Sequence, residues 1–291
     1  VPHSRQSGHA LGIVLVAAST AFFALAGVFT KSTSADPWTI ACWRGLIASL
    51  AIGAYVLVRR GGTGQSLRLG RRGWALAIAA AASSALFIAS FKYTYVANVS
   101  VIYATVPFMA AGIDWVVLRV APRARTLVTA LICLIGVAAV VGGGVGGDHV
   151  AGDALALAMT LCCAVHLVMI RAFRDTPAVW AGAVGSLLLF PLGWAVANPL
   201  AVTAGDLLVI AAFGISFSAA SILWTEGARL LPAPESGLLG AAEVPLAILF
   251  AWLILAEAPP LYSIVGGAVV LAAVLAHAGR DMWANRREPV A

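Results

Sequence analysis

Arg44, Lys92, Asp114 and Glu243 are ionisable side chains that lie inside apolar stretches of this sequence. A charge surrounded by hydrocarbon is expensive, so each is first read as facing a protein interior or a wet cavity. Glu243 directly precedes Val244-Pro245, and the proline leaves one backbone carbonyl without its helical partner. It lies ~10 Å inside its apolar stretch and is the best candidate for proton coupling or for pairing with an amine. Arg44 lies ~12 Å inside its own stretch. It could hold a substrate carboxylate, and structural bonding to free backbone carbonyls is the competing role. Lys92 and Asp114 are near enough to the ends of their stretches to snorkel or pair locally, the reading adopted for both.

Neutral polar and aromatic residues add two stripes. Ser83, Phe87, Ser90 and Thr94 share one helix face, and Gly214, Ser218, Ser221 and Thr225 follow the same steps of 4, 3 and 4. They are expected to line a common cavity. The other reading is that small residues let helices approach closely or bond back to their own backbone. Ser19, Phe22 and Phe23 in one stretch, and Cys163 and His166 in another, would make an adaptable wall of aromatic and soft groups. Packing is the commoner role for an isolated intramembrane histidine. Trp43, Tyr103 and Trp224 are candidates for aromatic wall or lipid-facing filler.

These residues must be positioned by membrane helices. The 291 residues are 62% hydrophobic and 10% charged, with a mean hydropathy of +0.97, which is more apolar surface than a soluble chain could bury. A net charge of +6 would suggest nucleic acid in a soluble protein. Here the basic residues fall between apolar stretches on alternate sides, so no nucleic-acid partner is expected. Cys42, Cys133, Cys162 and Cys163 all lie in apolar sequence, which indicates neither a disulfide framework nor a metal site. No cofactor is expected. The abundance of Arg and Ala hints at a GC-rich bacterial genome. The first apolar run lacks a cleavage site and is read as a retained span rather than a signal peptide; the absence of an initial Met suggests processing.

Ten spans are predicted, at 10–30, 37–58, 73–95, 98–118, 126–145, 151–171, 177–197, 206–228, 236–256 and 261–279. Asp36-Pro37 and Thr176-Pro177 each place a capping residue before a proline at the first helical position, and Asp206 opens the eighth span similarly. With a cytoplasmic N-terminus, 15 of the 18 Lys and Arg fall on the cytoplasmic side. These are Arg5, Arg59, Arg60, Arg68, Arg71, Arg72, Arg119, Arg123, Arg125, Arg171, Arg174, Arg229, Arg280, Arg286 and Arg287. Asp36, Asp148, Asp153, Asp206, Glu257 and Lys31 are then outside. Both termini are expected in the cytoplasm of a bacterial cell with the chain in the inner membrane.

The chain also repeats. Gly12, Lys31 and Pro37 recur as Gly152, Arg171 and Pro177 at a step of 140, and Pro107, Arg119 and Pro122 as Pro245, Glu257 and Pro260 at 138. Five spans per copy is an odd number, so the second copy enters the membrane inverted. The expected fold is all-α integral membrane, with ten transmembrane helices as two inverted five-helix repeats, residues 1–147 and 148–291. Such construction is typical of alternating-access transporters. Pro107 and Pro245, at matching positions, are the expected hinges.

Pro37 followed by intramembrane Arg44, the Pro107 span running into Arg119-Val-Ala-Pro-Arg, and the Pro245 span running into Ala256-Glu257-Ala-Pro-Pro and Gly266-Gly267 carry a family likeness. In their order and spacing the chain resembles the drug/metabolite transporter superfamily, in its ten-helix EamA-type branch, over essentially its whole length. Within it the chain is similar to YddG-type amino-acid exporters. The resemblance implies a central cavity lined by spans 1–4 and 6–9, with spans 5 and 10 peripheral. Independently, the centres of spans 5 and 10 lack charge and carry many small residues, which suits helix packing.

The leading expectation is therefore an exporter of small, mostly zwitterionic metabolites such as amino acids, surrounded by membrane lipid and functional as a monomer. Span 1 lacks the glutamate on which small multidrug-resistance relatives rely, which puts that form of proton antiport in doubt. Only Arg44 offers interior positive charge, which argues against large anions. An exporter of aromatic or hydrophobic cations, attracted by Glu243, is the alternative. A membrane-embedded enzyme is remote because no Gly-x-Ser-x-Gly, His-Glu-x-x-His or paired aspartates occur. A non-transporting scaffold is equally remote, and no ring of polar residues marks a channel.

Overall fold

In hydrocarbon every backbone N–H and C=O must find its partner within the protein, and a helix satisfies them internally. The computed structural model accordingly folds into thirteen helices among the described residues, 2–63, 67–119, 121–122, 124–143 and 149–287. They are α1 (Pro2–Ala24), α2 (Ala26–Lys31), α3 (Pro37–Thr63), α4 (Gly70–Tyr93), α5 (Val96–Tyr103), α6 (Val106–Leu118) and α7 (Ala124–Gly143). The second half contributes α8 (Val150–Ala172), α9 (Ala178–Val196), α10 (Ala204–Ala228), α11 (Ala233–Gly240), α12 (Glu243–Leu255) and α13 (Leu261–Arg287). Joined across three interruptions, they make ten spans of sufficient length and hydropathy to cross a membrane. Leu131, Leu134 and Ile135 of span 5 are more than half exposed, as lipid contact requires. Arg123 and Asp148, the side chains of Arg5, Arg60, Arg286 and Arg287, and the boundary at 147–148 lie outside the described residues.

The interruptions fall at Leu25 in span 1, Ala104-Thr105 in span 4 and Ala241-Ala242 in span 9. Pro107 and Pro245 explain the last two, because a proline cannot donate to the carbonyl four residues earlier and its ring collides with it. The chain tightens there, with Thr105 N–H donating to Ile102 and Ala242 N–H to Leu239. The helices of spans 4 and 9 repeat at a step of 137 residues, down to left-handed caps at Arg119 and Ala256. The two prolines, 138 apart, are therefore one residue out of register and not at matching positions, and the breaks precede them.

Two of the expected helix starts differ in detail. Asp36 caps α3, accepting from the N–H groups of Trp38 (2.9 Å) and Thr39 (3.1 Å). At α9 the N-cap is Pro177, without a side-chain cap, so Thr176 does not fill that role. At α10 the cap is Thr203, and Asp206 reciprocates from the first turn as in a capping box.

Packing follows an inverted two-fold pattern. Span 1 lies against span 8 as span 6 lies against span 3; span 2 meets span 8 as span 7 meets span 3; and spans 2 and 7 meet each other. Spans 5 and 10 pair apart from these. A Cβ on Gly266 would lie 2.5 Å from the Gly136 carbonyl oxygen, an approach that only glycine permits.

Candidate functional site

A cavity of about 340 Å³ lies at the centre of the bundle. Every one of spans 1–4 and 6–9 contributes to its wall, and spans 5 and 10 contribute nothing. Span 3 presents Ala80, Ser83, Ser84 and Phe87, which share one face of α4. Span 8 answers with Phe217, Ser221, Trp224 and Thr225 on one face of α10. Phe23, Tyr103, Cys163, His166, Arg44 and Glu243 complete the expected residues that meet here. All three helix interruptions border this space, through Phe23 and Ala26, Tyr103, and Glu243.

Five expected lining residues lie elsewhere. Ser19 is fully buried and donates to the Ala220 carbonyl at 2.7 Å, tying span 1 to span 8. Ser90 and Ser218 bond back to the carbonyls of Phe87 and Gly214 in their own helices. Trp43 turns from the cavity and donates Nε1–H to the Pro199 carbonyl at 2.9 Å. Phe22 is 38% exposed on the outer surface of the bundle. Pro107 and Pro245 are also absent from the wall, each just beyond a break that touches it. Ser84, Ser186, Gly182 and Phe217 were not anticipated. Ser84 and Phe217 had a signal available, since Ser84 lies four residues from Ala80 and Phe217 four before Ser221.

The fixed charges of the wall are unusual in their partners. Arg44 is 1% exposed, donates Nη2–H to the Ser84 hydroxyl at 2.8 Å, and lies over the rings of Phe217 and Phe213 at 4.0 and 5.0 Å. Its Nε and Nη1 have no acceptor. Glu243 has no hydrogen bond or ion pair among the described residues, and His166 Nε2 is unpartnered. Lys92 and Asp114 behave as expected of span-end groups. Lys92 donates to the Thr33 carbonyl at 2.5 Å, and Asp114 pairs with Arg171 at 3.0 Å.

The two ends of the cavity differ. Toward the end carrying the chain termini it reaches Val179, Trp224 and Thr225, within a turn of the helix ends. Toward the other end Phe23, Phe87, Phe91 and Tyr103 close the path, leaving only a separate void of about 10 Å³. Beyond this plug, Lys31 is ion-paired with Glu257, whose other oxygen accepts the Val96 N–H at 2.6 Å. Asp206 accepts from Thr33 and Ser34, and buried Asp153 from Thr94 and Asn98. Polar contacts also tie the end carrying the termini, where Glu226 of span 8 holds Tyr55 and Arg59 of span 2 and Arg229 beside it, so the aromatic plug is what distinguishes the two ends. A second space of about 330 Å³, between spans 9 and 10, is lined by apolar groups such as Trp252 and Ile264, which face lipid.

Comparison with known proteins agrees with this arrangement. The model of the EamA-like transporter family matches residues 10–142 and again 150–277. No curated protein sequence matches the chain. One solved crystal structure, described only as that of a protein, has 21% identity and a TM-score of 0.66, over 95% of this chain and 99% of its own. At that identity the likeness concerns the fold.

Proposed function

Because this chain belongs to the EamA-like transporter family, a multi-pass membrane transporter of small molecules and not an enzyme, we propose that it exports amino acids with broad selectivity by alternating access. The observation that carries this reading is the central cavity, bordered by all three helix interruptions and sealed toward one end. Its 340 Å³ lies at the small end of the ~300–1,000 Å³ range of ligand sites, which favours a metabolite over a bulky drug. Aromatic and other apolar groups make up most of the wall, and one basic and one acidic side chain, Arg44 and Glu243, suit a zwitterion. The similarity to YddG-type exporters supports the same cargo. Arginine-rich termini and connectors support cytoplasmic termini in a bacterial inner membrane, so the structure described corresponds to the state directed toward the cytoplasm. The unit of transport is the monomer.

In this mechanism spans 1–4 and 6–9 rock around the cavity. The aromatic plug and the Lys31–Glu257 pair part as the opposite end closes. Proteoliposomes loaded with labelled amino acids test the reading: protein-dependent efflux of several of them is expected, and no flux across a broad panel would sink it. Cysteines introduced at the two ends should change accessibility reciprocally when substrate is added.

A second reading draws on Glu243, whose unpaired carboxylate lies among Phe23, Phe87 and Tyr103. Aromatic faces around an acid suit an organic cation. Loss of cation flux in Glu243→Gln with amino-acid flux untouched would favour that cargo.

A further inference from the structure

A guanidinium stays charged at any physiological pH, and burying it without an acid is costly unless its donors are engaged. Arg44 is 1% exposed, yet only Nη2 is known to have a partner, and that partner is the neutral Ser84 hydroxyl. The structural role open to a buried arginine, bonding to free backbone carbonyls, is not the one it fills, since Nε and Nη1 meet no acceptor. Phe217 and Phe213 cover its face, at 4.0 and 5.0 Å from the guanidinium carbon. Face stacking compensates part of the charge but leaves the in-plane N–H groups unused. Those in-plane donors are the ones that recognise a planar carboxylate.

We propose that Arg44 is the anion-reading group of the cavity, whose guanidinium receives the carboxylate of the carried solute. Ser84 holds Nη2 and the two phenylalanines hold the plane, so the group is oriented before the solute arrives. Ser84 accepts one Nη2 hydrogen, which leaves the other, with the unpartnered nitrogen on its side of the guanidinium, for a two-point contact. The apolar body of the solute then lies along Phe217 toward Phe23, whose rings are 5.9 Å apart. The solute class is a small monocarboxylate with an apolar or aromatic body, and neutral amino acids are one subset of it. Amines without a carboxylate leave Arg44 unpaired and bind poorly. This inference rests on the cavity being the solute site, but not on amino acids being the cargo.

Binding of 3-phenylpropionate, its amide and phenylethylamine to the purified protein in lipid nanodiscs tests it, because the three share one body and differ in charge. The carboxylate is expected to bind tighter than the amide by about tenfold or more, the scale of a charge-assisted contact. In Arg44→Gln the carboxylate and amide should bind alike. Equal binding of the two by the native protein, no binding of the carboxylate, or a preference that survives Arg44→Gln would each overturn the proposal. A merely structural arginine would weaken all three ligands together, which also counts against it. Should Arg44→Gln fail to fold, Arg44→Lys decides, since a point charge should keep the preference at reduced affinity and unchanged affinity refutes the fork. Flux of labelled amino acids separates this from the wider reading. Amino-acid flux without carboxylate preference defeats only the role of Arg44, and carboxylate preference without amino-acid flux defeats only the amino-acid cargo.

Discussion

The two halves of the chain share a backbone plan and differ in where they place charge. Spans 4 and 9 break at corresponding points and end in left-handed caps 137 residues apart. Gly45 in span 2 and Gly185 in span 7, 140 apart, both allow a neighbouring backbone to approach, with a built Cβ 2.5 Å from the carbonyl oxygens of Ser186 and Ala77. The cavity charges, by contrast, are not repeated: at those steps the counterpart of Arg44 is Val184 and that of Glu243 is Val106. Span 1 is interrupted at Leu25, whereas span 6 is one continuous helix, α8. Duplication therefore supplied the scaffold and divergence supplied the chemistry, one cation in the first half and one carboxylate in the second.

Removing the charge difference should have the largest effect. Glu243→Val makes the position match Val106, and transport is expected to fall by about tenfold or more, the scale of one lost charged contact. The thermal midpoint should hold or rise, because an unpaired carboxylate gives nothing to the fold. Flux and unfolding measured on one preparation check both halves of this statement, and undiminished flux would remove Glu243 from the mechanism.

The shared scaffold can be probed next. Gly45→Ala and Gly185→Ala each push a methyl into a backbone oxygen, and both should destabilise by about 1–3 kcal/mol in thermal unfolding. Unequal losses would mean that the two copies no longer use this approach alike. The end-closing pairs then separate the halves. Lys31→Ala leaves Glu257, only 14% exposed, without its counter-charge and should cost about 1–3 kcal/mol. Arg171→Ala, at the corresponding repeat position, strands a similarly buried acid, Asp114 at 16% exposure, but removes a base that is itself 51% exposed, so a cost of about 1 kcal/mol is expected. Only Lys31→Ala should increase labelling of a Phe23→Cys probe from the sealed end. Smallest is Gly53→Ala: its nearest neighbour, the Trp180 ring, is 3.7 Å away, so the methyl fits. A gain of about 0.5–1 kcal/mol is expected, from helix propensity alone.

Much of this organisation was readable from the residues. Hydropathy alone gives ten spans close to those observed, because span length is imposed by the hydrocarbon and not by fine packing. The breaks in spans 4 and 9 were announced by prolines, but their register was not, since proline acts on a carbonyl a turn away. The break at Leu25 has no sequence signal that we can identify. In the cavity, Ser83, Phe87 and Ser221 followed from helical spacing, but Ser90 continued the same stripe past the point where the bundle closes. Bonding back to the helix does not separate them, since Ser83 and Ser221 in the wall donate to the Ala79 and Phe217 carbonyls as Ser90 does to that of Phe87. Periodicity gives a face and not a depth. Ser218 fails for another reason: Phe217 and Ser221 on either side of it line the cavity, so its depth is right and its side chain is turned into the packed interior.

Glu257 has one further implication. Its two oxygens serve different elements, one taking the Lys31 ammonium at the end of span 1 and the other the Val96 N–H at the start of span 4, while its own backbone follows span 9. A carboxylate is rigid and planar, so turning to release one partner disturbs the other. Three helices from both halves are thereby tied through a single side chain, and unfastening that knot is a concerted event with one barrier.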